Sequence, residues 1–555
     1  MLIQCYDPGM SKRADRSWNR QNGRDSASIA ANTSAWDYIV VGSGMGGMTA
    51  AAFLSKLGRR VLVLEQHYIP GGFTHTFKRK GWEWDVGVHA VGEVSEHSMP
   101  GRLLAKLTDG RLKWSKLGGV YDEFHWPDDL RIDFPDTPTQ FRTNLLEAFP
   151  DEEAAIDGYL AEVKRVAKAM RPYYLARAAP RALGPVADRL IAKEARECFS
   201  KTTREVIESL TDNVQLRAVF AAQWGYYGST PSRSSFAIQA LVVKHFQWGA
   251  YYPVGGSGSM AKELLATVAA TGGWTRICAD VEEILVEKGR ACGVRLVGGE
   301  EIRGRAVVSA AGVQSTLTRL LPRELRDRPW AKTASALRPA SAHVCLYLGF
   351  EGDIREAGAG AANKWFYDTW DMEEDVWAVD ERCGDPGHAV PPAAVLYCSF
   401  PSLKDPEHDP GERIRHTGEV VTFVPWDLFA RWQGAKWRKR GAEYDALKKS
   451  LQEALLEQFL SRMPGLRDKV KYVELSTPVS TDHFCRPMAG SIYGVEPTVE
   501  RFENPDLRPN SRVKGLYFAG SEVATVGVMG AMMGGVLATA AAEPLRAFKY
   551  LKALG

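Results

Sequence analysis

The chain has 555 residues, of which 45% are hydrophobic, and its 70 basic residues nearly balance its 67 acidic residues. This length and apolar content allow a large buried core and exclude global disorder, while a net charge of +3 gives no argument for a nucleic-acid partner. The eight cysteines contain no CxxC pair and no metal-ligand cluster is recognisable. We therefore predict reduced thiols in a cytoplasmic-type compartment and no metal.

The amino-terminal segment, residues 1–35, is polar and lacks an apolar run of signal-peptide length. We predict a disordered tail there, with Met10 as an alternative start. No later stretch approaches the roughly 20 uninterrupted apolar residues of a membrane span, so the chain is not expected to cross a bilayer.

A strand–turn–helix–strand unit follows the tail. Asp37–Val41 predicts a buried strand and Gly42–Gly47 a glycine-rich turn. Met48–Leu57 predicts an alanine-rich helix, and Val61–Glu65 predicts a second buried strand. This order is typical of a βαβ nucleotide-binding unit.

Four residues of this unit are suited to holding a dinucleotide. Gly42 permits the tight turn, Gly44 lets a pyrophosphate approach the backbone, and Gly47 lets the helix pack closely on the strand. The helix N-terminus attracts phosphate, and Glu65 can accept hydrogen bonds from ribose hydroxyls. The unit alone fits NAD or FAD, but the second glycine loop, Gln66–Gly72, favours FAD.

A second region of strands lies in the middle of the chain. Val281–Glu287 and Gly293–Val297 predict a hairpin, and Ala306–Gly312 predicts a further apolar strand. A backbone contact from Val281 to adenine and ordinary strand packing explain this pattern equally well.

A third region lies near the carboxyl end of the chain. Gly515–Gly520 predicts a buried strand that is followed by Glu522, and an apolar helix is predicted from about Met532 to Ala542. The acidic side chain can bind ribityl hydroxyls. The glycine-rich start of the helix, Gly527–Ala531, can present N–H groups to the flavin pyrimidine carbonyl.

Together these segments resemble the carotenoid-desaturase-type flavoproteins, and within them the retinol saturase and carotenoid isomerase branch. The matching segments are Val40–Thr76, Trp84–Glu93, Leu107–Leu117, Tyr251–Met260, Gly490–Gly494 and Gly515–Gly535. The resemblance implies an α/β fold in which a Rossmann-like FAD-binding domain of the phytoene-desaturase type is assembled from discontinuous segments beside an α+β substrate-binding domain. It also implies noncovalent FAD and a lipophilic, polyunsaturated substrate in an apolar tunnel.

The resemblance carries the family's FAD contacts over to thirteen residues. These cofactor-binding candidates are Gly42, Gly44, Met45, Gly46, Gly47, Glu65, Gln66, Gly71, Gly72, Val281, Gly520, Glu522 and Met529. The saturase branch often has two cysteines after the second double glycine, whereas this chain has Phe73 and Thr74. A thiol role is absent there, and the departure weakens an assignment to retinol saturation specifically.

The predicted domain organisation follows from these matches. The FAD-binding domain is expected to comprise residues 36–100, 251–315 and 505–555. The substrate domain is expected to comprise the two insertions between them, residues 101–250 and 316–504.

The substrate domain supplies candidates for chemistry. Apolar spacing from Asp151 to about Asp212 predicts helices, and two aromatic clusters, Trp224–Tyr227 and Phe246–Tyr252, fit either a tunnel lining or a core. His89, Tyr227 and Tyr493 are candidates for proton transfer, although a histidine placed like His89 is more often a structural hydrogen-bonding group.

Two basic and apolar stretches predict contact with a membrane surface. They are Tyr173–Lys193 and Trp432–Arg440, and a solvated helix face is the alternative for both. An apolar substrate stored in lipid favours peripheral association of an otherwise cytoplasmic protein.

Three functions follow as hypotheses. The first is an FAD-dependent oxidoreductase that saturates, desaturates or isomerises double bonds of a retinoid, carotenoid or related lipid, with an unidentified electron partner. The second is a flavin amine oxidase on the same fold. The third is a non-catalytic prenyl- or lipid-binding protein, which the complete glycine loops disfavour.

Overall fold

The computed structural model describes residues 36–179, 181, 193–373 and 376–554, so the predicted tail lies outside the described residues. The strands are β1 (Trp36–Val41), β2 (Val61–Leu64), β3 (Thr76–Arg79), β4 (Trp82–Asp85), β5 (Trp114–Lys116), β6 (Val120–His125), β7 (Arg131–Pro135), β8 (Tyr251–Pro253), β9 (Trp274–Arg276), β10 (Val281–Glu287), β11 (Arg290–Leu296), β12 (Glu301–Ser309), β13 (Ala342–Glu351), β14 (Asn363–Tyr367), β15 (Val395–Ser399), β16 (Arg415–Val424), β17 (Val470–Ser476) and β18 (Leu516–Phe518). The longer helices are α1 (Met45–Lys56), α2 (Met99–Leu107), α3 (Pro138–Ala148), α4 (Glu153–Ala178), α5 (Lys193–Phe199), α6 (Val214–Ala221), α7 (Phe236–Phe246), α8 (Gly258–Ala270), α9 (Pro329–Ser335), α10 (Ala442–Arg462), α11 (Pro478–Cys485), α12 (Gly527–Ala542) and α13 (Pro544–Lys552).

The first sheet has β1 at its centre. Its strand order is β10–β11–β12–β1–β2–β9, and β18 pairs in parallel with the end of β12. The β1 strand pairs in parallel with β2 and β12, and all its residues except Asp37 are buried. A parallel strand covered on both faces needs a continuous apolar run, which is why the sequence pattern identified it.

Three separated stretches build this domain. β1, α1 and β2 come from the first, β9 to β12 from the second, and β18 and α12 from the third. The packing departs from the predicted boundaries at two places. The boundary at residue 100 falls inside α2, whose Leu103, Leu104 and Leu107 lie in the same core as α1. Val313 to Ala334 packs on the first sheet, beyond the boundary at residue 315.

The second sheet forms the substrate domain. Its order is β17–β13–β16–β15–β14–β6–β7, and α4 to α7 contribute to the aromatic core on one side of it. The helices predicted between Asp151 and Asp212 are present as α4, α5 and a short helix, Thr203–Glu208. This mixed sheet with its helices agrees with the predicted α/β fold and α+β substrate domain.

The helix α12 begins at Gly527, five residues before the predicted start at Met532. Glycine disfavours a helix in sequence terms because it loses the most conformational freedom on folding. In the missed first turns glycine is required for packing, since a β-carbon at Gly530 would lie 1.9 Å from the carbonyl oxygen of Thr525.

The predicted interfacial stretches are only partly surface segments. Trp432 is buried against Phe429 and Tyr444, so it is a core residue and the interpretation of this tryptophan as an interfacial anchor was wrong. Tyr173 is buried as well, and Pro180 and residues 182–192 lie outside the described residues. Within the described ranges, no helix combines the length and apolarity that a membrane span requires.

Candidate functional site

A cavity of about 720 Å³ is lined by both domains. One end is formed by the turn after β1, the start of α12 and the start of β10. The other end is formed by the aromatic face of the second sheet and by α7. The nucleotide-binding glycines therefore open into the same space as the aromatic clusters.

The start of α1 provides an anion-binding end for this cavity. No side chain caps the helix at Gly44, so its first N–H groups are available to a ligand. A β-carbon at Gly44 would meet no protein atom within 4 Å, whereas one at Gly46 would lie 2.6 Å from the Gly520 backbone. Gly44 faces open space, while Gly46 and Gly47 are needed for packing.

Glu65 lies at the end of β2 on the cavity wall. Its Oε2 accepts hydrogen bonds from the backbone N and Oγ of Ser43 at 2.9 and 2.6 Å, and its Oε1 accepts from the His67 backbone at 2.8 Å. Oε1 retains acceptor capacity for a ribose hydroxyl. The Ser43 hydroxyl in turn accepts from the backbone N of Gly71 at 3.1 Å, which joins the two glycine loops.

Glu522 lines the cavity below the uncapped start of α12. Its Oε2 accepts from the backbone N of Gln314 at 3.1 Å and from that of Val313. Burial raises the pKa of its carboxyl, and the two backbone donors oppose this. The predicted ribityl-binding acid is thus also the cap of the short helix that starts at Val313.

Most of the predicted cofactor contacts meet at this cavity. The lining residues among them are Gly42, Gly44, Met45, Gly46, Glu65, Gln66, Gly72, Val281, Gly520, Glu522 and Met529. Gly47 and Gly71 do not line it: a β-carbon at Gly47 would lie 2.1 Å from the Gly42 carbonyl oxygen, and Gly71 holds the second loop.

Two arginines on the cavity wall were missed in the sequence. Arg486 donates to Oδ1 of Asp280 at 2.7 Å, and Arg319 donates to the carbonyl oxygen of Arg486 at 2.9 Å. Burial and the neighbouring Arg486 lower the pKa of Arg319. They lie beside Val281, and only the spatial meeting of distant segments reveals this second source of positive charge.

Two of the three proton-transfer candidates lie at the aromatic end of the cavity, and the third does not. His89 and Tyr493 line it, whereas Tyr227 is fully buried behind it and donates to Oε1 of Gln239 at 2.9 Å. The neighbouring Tyr226 lines the cavity instead, together with Tyr397. In the Trp224–Tyr227 cluster, Tyr226 therefore lines the cavity and Tyr227 belongs to the core.

Behind His89 and Tyr226 lies a buried group of ionisable side chains. Lys404 donates from Nζ to the carbonyl oxygen of His89 and to Oγ of Ser399, both at 2.7 Å. Nδ1 of His89 lies 2.8 Å from Oε2 of Glu419, and neither atom has an aligned hydrogen bond to another described residue. Burial lowers the pKa of His89 to about 3 and raises that of Glu419 well above its usual range.

A further acid belongs to the same group. Asp85 accepts from Ser257 and from the Tyr252 hydroxyl, and its backbone N donates to Glu419 at 3.0 Å. Burial, followed by the charge of Glu419, raises the pKa of Asp85 to about 7. Burial likewise lowers the pKa of Lys404 to about 8.

A separate cluster lies outside the cavity. Asp380, Cys383 and His388 bring three ligand-type atoms within 4.8 Å of one another, and Asp380 already accepts from the Arg382 backbone. The absence of a metal stays a prediction.

The charged and polar groups that line the cavity are those that binding of FAD requires. Two uncapped helix starts, α1 and α12, face the cavity together with Arg319, Arg486 and an acceptor carboxylate. The open space at Gly44 leaves room for a pyrophosphate against the backbone.

The chain matches known flavoproteins along most of its length. The model of the flavin containing amine oxidoreductase family matches residues 45–542. An all-trans-retinol 13,14-reductase of Danio rerio is 32% identical over 519 residues, covering 90% of this chain and 84% of the relative. Prolycopene isomerase 2 of an Oncidium hybrid cultivar is 26% identical, covering 83% of this chain and 76% of the relative.

A solved structure shows the same fold. Cyclohexylamine oxidase from Brevibacterium oxydans IH-35A superimposes with a TM-score of 0.57 at 17% identity, covering 93% of this chain and 99% of that chain. These matches confirm the predicted retinol saturase and carotenoid isomerase branch, the fold class and the flavin cofactor.

Proposed function

The chain belongs to the family of flavin-containing amine oxidoreductases, and we propose that this FAD-dependent oxidoreductase saturates a carbon–carbon double bond of a lipophilic polyene. One observation carries the proposal: a single cavity joins the nucleotide-binding glycines to an aromatic wall. A flat conjugated chain that packs on this wall reaches the space beside the cofactor loops.

The proposed roles of the chain's own residues follow from their placement. The N-terminus of α1 at Gly44 and Met45 holds the pyrophosphate, and Glu65 binds the adenosine ribose. The uncapped N-terminus of α12 would hold the flavin end of the cofactor, where its N–H groups would stabilise negative charge. FAD, when bound, supplies reversible hydride transfer at N5.

The aromatic wall supports the choice of a polyene. The rings of Trp365 and Tyr397 pack at a tilt of 53° with centroids 4.4 Å apart, and Phe423 on β16 lines the same cavity. Such a wall excludes water and offers faces for a conjugated chain. Two relatives, an all-trans-retinol 13,14-reductase and a prolycopene isomerase, are named for reactions of polyenes. Isomerisation is therefore the second reaction to be tested.

We also infer contact with a membrane surface, through α13 rather than through Trp432. Leu545 and Phe548 are 85% and 70% exposed on this helix, beside the basic Arg546, Lys549 and Lys552. Apolar and basic side chains on one short helix suit an anionic lipid surface. The buried Cys345, Cys383 and Cys398 form no disulfide with another described cysteine, which supports a reducing, cytoplasmic location.

The test uses the protein reconstituted with FAD. The holoenzyme is reduced anaerobically, mixed separately with retinol, a carotenoid and an unsaturated fatty acid, and the products are identified by mass spectrometry. A polyene that gains a pair of hydrogen atoms is the expected result. Polyenes that stay unchanged under both oxidising and reducing conditions contradict the proposal.

Two alternatives have distinct outcomes in the same experiment. Release of peroxide from an added amine identifies an amine oxidase. A purified protein that takes up no flavin and has no yellow colour identifies a lipid-binding protein without redox activity.

A further inference from the structure

We propose that Tyr226 is the catalytic acid of this site and that buried Asp122 restores its proton. The inference rests on the proposed function, because it concerns the proton that accompanies hydride transfer to a double bond.

Tyr226 is placed where a proton donor is needed. It ends a short helix, Ala222–Tyr226, and its ring lines the cavity. Its ring centroid lies 5.9 Å from that of Tyr397, which in turn lies 5.0 Å from that of His89. Gly87, two residues before His89, packs against Phe73, which follows the second glycine loop. Tyr226 and the loop assigned to the cofactor thus line the same cavity and are linked through Tyr397 and His89.

The carboxyl group of Asp122 forms hydrogen bonds with the Tyr226 hydroxyl. The Tyr226 hydroxyl lies 2.8 and 2.9 Å from the two carboxylate oxygens of Asp122, which is completely buried on β6. The side-chain amide of Asn363 donates to Oδ1 of Asp122 at 2.8 Å and to the Tyr226 oxygen at 3.2 Å. Amide and phenol therefore fix the carboxyl group at one position against the ring.

The carboxyl group can hold a proton. Burial raises the pKa of Asp122 to about 6, although the hydrogen bonds from Asn363 and Tyr226 lower it. When Asp122 is ionised, the phenol proton is directed to the carboxylate. When Asp122 is protonated, it can donate to the phenol oxygen, and the phenol proton is free to turn towards the cavity.

Several other groups act on Asp122. Lys404, which is bound to Oδ1 of Asn363, lowers its pKa, and the indole of Trp365 faces it. The charge of Asp122 in turn raises the pKa of three nearby phenols, Tyr121, Tyr367 and Tyr397. Lys404 is the one cation among these neighbours, so its charge keeps the pKa of Asp122 from rising further.

The step balances in atoms and electrons. A hydride from reduced flavin forms one C–H bond, the π bond breaks, and its electron pair takes the Tyr226 phenol proton to form the second C–H bond. The phenolate then takes the proton of Asp122, which leaves the carboxylate. A solvent proton returns to Asp122 after the product leaves. In the desaturating direction the same pair accepts the proton.

The other candidates on the wall are less suited to this step. The Tyr493 hydroxyl donates to the Gly225 carbonyl oxygen at 3.0 Å and has no acid behind it among the described residues. Burial lowers the pKa of His89 to about 3, so its imidazole is neutral at neutral pH and its remaining N–H is a very weak acid.

The first test compares Tyr226→Phe with Tyr159→Phe, which also removes a buried, hydrogen-bonded phenol hydroxyl but away from the cavity. Both are measured as holoenzymes with the polyene that the wild type converts. We expect Tyr226→Phe to lower kcat by roughly 100-fold or more while KM and FAD affinity stay nearly constant. We expect Tyr159→Phe to keep kcat within about threefold of the wild type.

The second test follows the protonation of Asp122 by spectroscopy and by the pH dependence of the rate. In the holoenzyme, infrared difference spectra are expected to contain a protonated-carboxyl band that appears as pH falls through about 6 and is missing in Asp122→Asn. The wild-type rate of saturation is expected to fall as pH rises through the same range. Asp122→Asn should lose this dependence, and Asp122→Glu should recover part of the rate.

The outcomes separate this inference from the proposed function. A wild type that converts no polyene contradicts the proposed function. A wild type that converts one, with Tyr226→Phe as active as Tyr159→Phe, overturns the inference alone. A wild-type spectrum without the titrating band overturns the role of Asp122.

Discussion

Gly46 in α1 packs directly on Gly520 after β18, so that a β-carbon at Gly46 would lie 2.6 Å from both the N and the Cα of Gly520. The two residues belong to the first and the last stretch of the nucleotide-binding domain. Their contact brings the uncapped starts of α1 and α12 to one cavity. Close packing and cofactor binding therefore depend on different glycines of the same turn.

Gly44→Ala and Gly46→Ala are expected to fail in different ways. Gly44 has φ −63° and open space at its β-carbon position, so alanine should leave the stability of the apoprotein unchanged and obstruct the pyrophosphate. We expect FAD affinity to fall by roughly tenfold or more. Gly46→Ala forces backbone apart and should lower the free energy of unfolding by about 3 kcal/mol.

Urea unfolding of the apoproteins and fluorescence titration with FAD measure these two effects. Gly360→Ala is the control, because Gly360 has no neighbour within 4 Å at its β-carbon position and lies outside the cavity. Equal loss of stability in Gly44→Ala and Gly46→Ala would contradict the division of roles.

Glu65→Gln is expected to weaken binding through the adenosine half of FAD. The carboxylate is buried beside Ser43 and His67, and a hydrogen bond to a charged group contributes about 1.5–3 kcal/mol. We expect Kd for FAD to rise by roughly tenfold to 100-fold. ADP, measured by calorimetry, should lose affinity by the same factor. The exposed Glu500→Gln is the control, and an unchanged affinity for ADP would place the ribose elsewhere.

The sequence is most informative where structure is local. The unit from Trp36 to Glu65 uses short-range geometry, so its two strands, its helix and its glycines were predictable, although α1 begins at Met45, three residues before the predicted start. The choice between Tyr226 and Tyr227 depends on where a short helix ends, and a pattern of adjacent aromatic residues contains no such information.

The ionisable group behind the cavity was not predictable for a different reason. Asp122, Asn363 and Lys404 come from β6, β14 and a loop after β15, and they meet only through sheet pairing. Trp432 likewise reads as an interfacial residue beside basic neighbours, yet tertiary packing buries it against α10. Long-range contacts of this kind leave no periodic signal in one sequence.

Asp85→Asn is expected to change how stability depends on pH. Burial raises the pKa of Asp85 from 3.8 to about 7, so the folded protein binds a proton that the unfolded chain has lost. The contribution of this group to the free energy of unfolding is fully present below about pH 4 and is lost as pH rises through about 7. A shift of this size corresponds to up to about 4 kcal/mol.

Urea unfolding between pH 4 and 8 measures this contribution as the difference between wild type and Asp85→Asn. As pH rises, the free energy of unfolding of Asp85→Asn should increase relative to that of the wild type. The exposed Asp427→Asn should give a difference that does not vary with pH. A constant difference for Asp85→Asn would mean that this carboxyl is ionised throughout the range.

The exposed apolar residues of α13 are expected to bind lipid. Leu545 and Phe548 are one helical turn apart, so replacing both with serine removes a single apolar face while the basic residues of the helix remain. Full burial of such a side chain contributes about 1.5–3 kcal/mol, and partial insertion of two should change vesicle affinity by roughly tenfold to 100-fold. Val214→Ser, at an exposed apolar position on α6, should keep wild-type affinity. Sedimentation with vesicles of anionic and of neutral phospholipid measures this, and equal binding by the double variant would remove α13 as the contact.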